Sequence, residues 1–103
     1  MKKTTFKIRE RVDGIEVLQE VIAEEYDKLT YYVSPNMNKN FKFPYSIYDK
    51  KTGLMVCAGK TKQELIDKYN DLNESYARAR GREWYKKCIE QYEQLKKEEN
   101  KNV

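Results

Sequence analysis

Alternating apolar and polar positions on either side of Asp13-Gly14 predict a β-hairpin from Thr5 to Ile22. Asp-Gly is favoured in two-residue hairpin turns because both central positions need positive φ. Folding about this turn pairs Val12 with Ile15 and sets the register of both strands. One face of the hairpin then carries the apolar residues Phe6, Ile8, Val12, Ile15, Val17 and Val21.

The same register places opposite charges across from each other, Arg11 with Glu16 and Lys7 with Glu20. Such cross-strand pairs help to set the register. The competing interpretation is a helix from Ile15 to Val33, because several apolar residues there also fit one helical face. These residues are Ile15, Leu18, Ile22 and Leu29. We favour the hairpin over the helix.

Ala23 to Ser34 is predicted to contain a short third strand. Leu29, Tyr31 and Val33 alternate with their neighbours here, after acidic residues interrupt the apolar pattern. The next segment, Pro35 to Asn40, is polar, rich in turn formers and without periodicity. We expect it to be a loop and the best candidate for a mobile connection.

Phe41 to Ala58 is predicted to form a second hairpin. The alternating residues of its first strand are Phe43, Tyr45 and Ile47. Gly53 supplies the left-handed residue that closes a type I turn with a bulge. Leu54 to Ala58 is apolar at every position, which predicts a strand buried on both faces or central in the sheet. Cys57 in this strand is interpreted as a core thiol.

Gly59-Lys60-Thr61 could end a phosphate-binding loop, but the earlier glycine that such a loop requires is missing. Its place is taken by Leu54, and Gly53 lies one residue too early. The intervening residues also form a predicted strand. We therefore reject nucleotide binding in favour of a helix start, in which Thr61 is the N-cap and Glu64 completes a Thr-x-x-Glu capping box.

From Thr61 to Lys97 the pattern predicts nearly continuous helix with two apolar seams. The first seam is Leu65, Tyr69, Leu72, Tyr76 and Ala79, and the second is Trp84, Tyr85, Cys88, Ile89, Tyr92 and Leu95. At about 100° per residue, the second seam points about 140° away from the first. The phase changes at Gly81, and glycine inside a helix costs about 1 kcal/mol relative to alanine.

Two arrangements of this segment satisfy both seams. We favour a break or sharp kink at Gly81, so that the second half folds back as a second helix. The alternative is a continuous rod of about 54 Å, whose outer half would need a second copy or another protein to cover it.

Together these elements define an α+β fold in a single domain of 103 residues. A small antiparallel sheet of two hairpins, with four or five strands in residues 1–60, packs on a long or kinked helix or a helix pair in residues 61–97. Residues 98–103 are expected to be a polar, frayed tail. Hydrophobic residues are 39% and charged residues 37% of the chain, so the core is thin and relies on the 13% of aromatic residues.

Histidine is absent, and the two cysteines, Cys57 and Cys88, have no metal-ligand spacing. We therefore expect no metal site, no cofactor and no catalytic residues, and so no enzyme. Thiols within apolar patterns suit a reducing cytoplasm. No apolar run approaches the roughly 20 residues of a membrane span, and the N-terminal segment lacks a signal-peptide core. The expectation is a cytoplasmic protein without a membrane partner.

The strongest local charge feature lies where the two seams meet. Five basic residues surround one acid, Glu83, and this basic cluster consists of Arg78, Arg80, Arg82, Lys86 and Lys87. The net charge of the chain, +4, permits nucleic-acid contact without demanding it. The basic cluster could grip phosphates while neighbouring aromatic residues stack on bases. Its helical directions are scattered, however, and a solvated helix face is the simpler interpretation.

The segment Tyr45 to Glu64 combines a strand, an Asp-x-x-Thr-Gly turn, an apolar strand and Gly-Lys-Thr-Lys-x-Glu at the start of a Tyr-rich helix. It resembles parts of small accessory proteins carried by bacteriophages and mobile elements of low-GC Gram-positive bacteria. The resemblance covers about a fifth of the chain and includes no catalytic motif, so no functional residue follows from it. It implies a protein that occupies a host or phage macromolecule, and anti-CRISPR inhibitors are one class of such proteins.

Two functional hypotheses follow. In the first, the chain is a non-enzymatic stoichiometric inhibitor or regulator that binds a protein partner, or that self-associates through its C-terminal helix. Its predicted contact face is Trp84, Tyr85, Ile89 and Tyr92, because aromatic residues dominate interface energetics. In the alternative, the basic cluster binds nucleic acid.

Overall fold

The computed structural model of the protein describes residues 2–38 and 44–101, which form five β-strands and two α-helices. The strands are β1 (Lys3–Val12), β2 (Ile15–Glu25), β3 (Thr30–Val33), β4 (Tyr45–Asp49) and β5 (Met55–Gly59), and the helices are α1 (Lys62–Arg80) and α2 (Glu83–Lys101). The strands form one antiparallel sheet in the order β1-β2-β3-β4-β5. The predicted α+β fold, a small antiparallel sheet with C-terminal helices, is confirmed.

The first hairpin has the predicted turn and register. Asp13 and Gly14 both have positive φ, 51° and 78°. Val12 lies opposite Ile15, and the predicted pairing continues along both strands. The competing prediction of a helix from Ile15 to Val33 is therefore wrong, since the turn geometry commits the chain to two strands.

The apolar face of this hairpin is only partly covered. Its buried residues are Phe6, Ile8 and Val21, and its exposed residues, all near the turn, are Val12, Ile15 and Val17. β3 pairs with β2 only at Glu24 and Glu25. The turn end of the hairpin therefore extends past the part of the sheet that β3 continues.

The predicted third strand is confirmed as β3, and both of its faces are covered. Tyr32 belongs to one core cluster and Val33 to the other. Asp27 holds the turn before this strand by accepting a hydrogen bond from the Thr30 hydroxyl at 2.7 Å. Its second carboxylate oxygen accepts a hydrogen bond from the Tyr69 hydroxyl at 2.7 Å, which links this turn to α1.

The described part of the predicted loop, Pro35 to Asn38, is a turn anchored to β2. The Asn38 side chain accepts a hydrogen bond from the Ile22 N–H at 2.8 Å and donates one to the Ile22 carbonyl at 3.0 Å. The remaining loop residues, Lys39 and Asn40, and the start of the predicted second hairpin, Phe41 to Phe43, lie outside the described residues.

The sheet curls, so that its first strand meets the turn that follows β4. The Arg9 N–H donates to the Gly53 carbonyl at 2.9 Å, although β1 and β5 lie at opposite ends of the strand order. The inner core consists of Phe6, Ile8, Val21, Ala23, Val33, Tyr48 and, from α2, Tyr92. The outer core, which α1 covers, consists of Tyr32, Ile47, Cys57, Leu65 and Tyr69. Cys57 is thus a core thiol, as predicted.

β5 lies at the edge of the sheet, whereas its apolar sequence predicted a central strand or one buried on both faces. It pairs with β4 alone, and Met55 is 40% exposed. One face of β5 packs on α1, where Cys57 contacts the cluster that contains Leu65. The prediction fails because an apolar pattern indicates which side chains prefer burial but not whether the strand has a neighbour on each edge.

α1 begins as predicted. Thr61 Oγ1 accepts a hydrogen bond from the Glu64 N–H at 3.1 Å. The Glu64 carboxylate reaches back to the Lys60 N–H at 3.3 Å, one residue before the usual partner in a capping box. The helix ends before Gly81, and α2 begins two residues later. The prediction of two helices is confirmed, and the continuous rod is wrong.

α2 covers its own apolar seam by packing against β1 and the β4–β5 turn. The Tyr92 hydroxyl donates to the Lys7 carbonyl at 2.5 Å. The Tyr92 ring lies so close to Gly53 that a Cβ added there would fall 2.5 Å from it. The fold-back of α2, rather than a second copy, therefore buries this part of the second seam.

α2 also extends further than the sequence predicted. It continues to Lys101, so the frayed tail expected from Glu98 onwards is wrong for residues 98–101. Glu99 forms an ion pair with Lys7, which holds this last turn near β1. Residues 102 and 103 lie outside the described residues.

Neither helix of the described chain is long and apolar enough to cross a membrane.

Candidate functional site

A cleft of about 260 Å³ opens where the β4–β5 turn, the second half of α1 and the first turn of α2 meet. Its walls combine residues from these three elements and from the start of β5. The lining residues are Asp49, Thr52, Leu54, Met55, Val56, Leu72, Ser75, Tyr76, Ala79, Trp84 and Tyr85. Most of these side chains are apolar or aromatic, so the cleft is suited to apolar contact.

The mouth of the cleft carries three large apolar side chains that are exposed to solvent. Met55 is 40% exposed, Leu72 is 39% exposed and Trp84 is 57% exposed. All other large apolar residues that are exposed in the described chain lie on the β1–β2 hairpin: Val12, Ile15, Val17 and Ile22. Apolar exposure outside that hairpin is thus concentrated at one site.

Asp49 forms the floor of the cleft and is 3% exposed. Its Oδ1 accepts hydrogen bonds from the N–H groups of Lys51 and Thr52, both at 2.9 Å, and from the Thr52 hydroxyl at 3.1 Å. Its Oδ2 accepts hydrogen bonds from the hydroxyls of Tyr76, in α1, and Tyr85, in α2, the latter at 2.8 Å. One carboxylate therefore joins the turn to both helices.

The two tyrosine hydroxyls remain donors over a wide pH range. Burial raises the pKa of Tyr76 and Tyr85 well above the ordinary tyrosine value, and the hydrogen bond to the Asp49 carboxylate raises it further. Five donors occupy the carboxylate, which has about four lone-pair sites. Asp49 is thus saturated by its own protein, and its geometry suits a structural link better than proton transfer to a bound molecule.

The predicted contact face is divided by the fold. Trp84 is exposed and Ile89 is half-buried, but Tyr85 and Tyr92 are 7% and 2% exposed. Their rings pack inside the protein, and their hydroxyls bond to Asp49 and to β1. Tyr85 and Tyr92 are therefore core residues and do not form an outer contact face together with Trp84.

The basic cluster is only partly exposed. Four of its members are exposed, Arg78, Arg82, Lys86 and Lys87. Arg80 is half-buried, and its guanidinium carbon lies 5.0 Å from the centre of the Tyr76 ring. Its Nε is buried and has no hydrogen-bond partner among the described residues. Arg80 is therefore less available for an outside contact than the other four residues.

Sequence reasoning identifies Trp84 and Tyr85 but misses the other residues that build the cleft. The sequence pattern places Met55 in a buried strand and Leu72 in the core seam, although both are exposed. The Asp-x-x-Thr-Gly pattern marked Asp49 as a turn residue, but its tyrosine partners are 27 and 36 residues away along the chain. Only the phase shift between the two helical seams signalled that the helices diverge near this place.

The described residues contain no group of three Cys, Asp or Glu side chains that could hold a metal ion.

Comparison of the chain with protein-family models, with curated proteins and with solved structures finds no match. Function is therefore inferred from the geometry of the cleft.

Proposed function

We propose that this protein binds a protein partner through the cleft, and that it acts as a stoichiometric inhibitor or regulator of that partner. The observation that carries the proposal is the concentration of Met55, Leu72 and Trp84 at one apolar cleft. Burying apolar surface favours association. Exposed apolar patches of this kind are typical of sites where another macromolecule binds.

The exposed apolar side chains at the mouth of the cleft favour a protein partner, which would cover them. The volume of the cleft, about 260 Å³, is near the lower end of the range of about 300–1,000 Å³ that is typical of sites for drug-sized ligands. It is large enough for one or two apolar side chains. A partner that inserts such a side chain would also cover the exposed mouth.

Trp84 is the side chain that we expect to contribute most to binding. It is 57% exposed, and tryptophan is among the residues enriched at the energetic centres of interfaces. Its neighbour Tyr85 is fixed by Asp49, so the first turn of α2 is held in place before the partner arrives. A preorganised contact residue loses less conformational entropy on binding.

An affinity capture experiment with matched variants tests this proposal. The cleft variant Leu72→Ser/Trp84→Ala and the control Ile15→Ser are compared with the unchanged protein. Ile15 is a suitable control because it is also apolar and is 66% exposed, but it lies at the hairpin turn. We expect a protein that is captured by the unchanged chain and by the control, but not by the cleft variant.

Circular dichroism and urea unfolding establish that each variant is folded. Capture that is equal for all three proteins, or lost equally with Ile15→Ser, would contradict the role of the cleft. The nucleic-acid alternative makes a different prediction. It requires binding of labelled DNA or RNA that weakens strongly with salt and that is lost when Arg78 and Lys86 are replaced by Glu.

A further inference from the structure

β5 offers a second type of contact beside the cleft. We infer, on the basis of the proposed function, that the partner presents an extended segment that pairs as an added strand with the outer edge of β5. One apolar side chain of that segment enters the cleft. Strand addition is a common mode of recognition, in which backbone hydrogen bonds provide affinity and side-chain pockets provide specificity.

The outer edge of β5 has no strand partner in residues 2–38 and 44–101. β5 is the last strand in the sheet order and pairs with β4 on its inner side. No backbone hydrogen bond joins its outer side to a described residue. An unpaired row of N–H and C=O groups is a template for pairing with another chain.

The backbone of Ala58 points outwards from the sheet. Asp49 directs its N–H and C=O towards the β5 side, since they bond to Leu54 and Gly53 at 2.9 and 3.0 Å. β4 pairs with β3 without interruption from Ser46 to Asp49, so the direction alternates along β4 and Ser46 directs its groups towards β3. Ala58 lies opposite Ser46 and therefore directs its own N–H and C=O to the outer edge.

Lys68 supports this orientation. Its ammonium group donates a hydrogen bond to the Ala58 carbonyl at 3.1 Å, so this carbonyl is bonded to a side chain of α1. It thus takes the place that an N–H of an added strand would occupy. The Lys68 side chain is 50% exposed, and its ion pair with Glu64 spans 3.1 Å at the surface. Exposed pairs of this kind contribute little, so a partner can displace the ammonium group.

The edge and the cleft are close enough to be used by one segment. Met55 and Val56 of β5 line the cleft, and Ala58 follows within three residues. A register shift against β4 leaves Val56 as an extra residue in β5, so Ala58 and Met55 lie opposite Ser46 and Tyr48, which are only two positions apart. At about 3.3 Å per residue, this distance along the strand is about 7 Å. A regular partner strand bonded to Ala58 therefore brings a side chain to the level of Met55 two positions along.

A displayed library of random decapeptides provides the probe. We expect enrichment of peptides with apolar residues at alternating positions, which are then synthesised with a fluorescent label and titrated by anisotropy. Leu72→Ser should weaken their binding by about tenfold or more through lost apolar contact. Ile15→Ser should leave the affinity unchanged.

Two variants of the edge give opposite expectations. Ala58→Pro removes the outward N–H without removing a bond to β4, a position where proline is tolerated in edge strands. It should weaken peptide binding by about tenfold. Lys68→Ala frees the Ala58 carbonyl and should strengthen binding. Because a folding defect cannot strengthen binding, this second variant keeps the test decisive.

Amide hydrogen exchange gives a direct readout of strand addition. In the free protein the Ala58 N–H should exchange faster than that of Cys57, which faces β4, and it should become protected when the peptide binds. Peptides that lose affinity with Leu72→Ser but not with Ala58→Pro, and that leave Ala58 unprotected, overturn strand addition while the cleft remains a binding site. Failure to enrich any peptide also overturns strand addition, whereas the capture experiment judges the proposed function separately.

Discussion

Replacing Tyr76 and Tyr85 by Phe, singly and together, tests whether Asp49 holds both helices onto the β4–β5 turn. Asp49 is 3% exposed, and its Oδ2 accepts hydrogen bonds from both hydroxyls. A hydrogen bond to a charged group contributes about 1.5–3 kcal/mol. Each single variant should therefore lose about that much free energy of unfolding.

The double variant should lose more than the sum of the single losses. In each single variant one hydroxyl still bonds to Oδ2, whereas in the double variant Oδ2 of a buried carboxylate loses both of these donors. Burying a charged oxygen without hydrogen bonds is strongly unfavourable. Residues that share one partner typically couple by about 0.5–3 kcal/mol. Since small domains have total stabilities of about 5–15 kcal/mol, the double variant should be close to unfolding.

Asp49→Asn completes this set of variants, because it removes the charge of the side chain and keeps its shape. In the Asp49→Asn background, each tyrosine substitution should cost only about 1 kcal/mol, the usual contribution of a neutral hydrogen bond. The assay is urea unfolding followed by far-UV circular dichroism, with the m-value checked for constancy.

Tyr31→Phe is the matched control for this series. The Tyr31 ring packs on Phe6, with ring centres 4.6 Å apart, and its hydroxyl makes no hydrogen bond within the described residues. This substitution should change the free energy of unfolding by less than about 0.5 kcal/mol. Additive losses at Tyr76 and Tyr85, or single losses no larger than the control, would refute Asp49 as the link between the helices.

Alkaline pH should destabilise the protein. Burial raises the pKa of Tyr69 and Tyr92 to about 12, so the unfolded chain, with a tyrosine pKa of about 10, releases these protons first. The contribution of these groups to the free energy of unfolding is complete below about pH 10. It should fall by up to about 1.4 kcal/mol per pH unit for each tyrosine as the pH rises to about 12. A free energy of unfolding from urea titrations that does not change between these pH values would contradict this. Gly81→Ala should leave the melting temperature unchanged or raise it slightly, because Gly81 has a φ of −85° and an added Cβ would lie 3.5 Å from its nearest neighbour. Gly53→Ala should lower it clearly, because Gly53 has a φ of 70° and the Cβ would meet the Tyr92 ring; equal effects of the two substitutions would argue against this packing. Thr61→Ala should reduce the free energy of unfolding by about 1 kcal/mol through loss of the helix cap, and Thr61→Ser, which keeps the hydroxyl, should restore most of it.

Local chemistry determined the elements that the sequence predicted correctly. The register of the first hairpin follows from Asp13-Gly14, because a two-residue turn leaves only one pairing of the flanking strands. The start of α1 follows from Thr61 and Glu64, whose side chains bond to backbone groups within one helical turn. The helix break follows from the change of apolar phase at Gly81. Each of these features depends on residues close together along the chain.

The sequence also identified which residues prefer burial, but not what covers them. The apolar run of β5 predicted a central strand, and the structure places it at the sheet edge under the flank of α1. The second helical seam predicted an outer contact face, and the curl of the sheet instead brings β1 and Gly53 against Tyr92. Hydrophobicity is non-directional, so a periodic pattern does not specify the partner of a buried side chain.

The candidate site was decided only by the tertiary structure. Asp49 accepts hydrogen bonds from Tyr76 and Tyr85, which lie 27 and 36 residues away along the chain, and so links α1 and α2 to the β4–β5 turn. The space between the helices then becomes the cleft, and Met55, Leu72 and Trp84 become its exposed mouth. By itself, the sequence determined the strands, the helices and the break between them. The packing of these elements, fixed by contacts between residues far apart along the chain, determined where an apolar surface remained exposed.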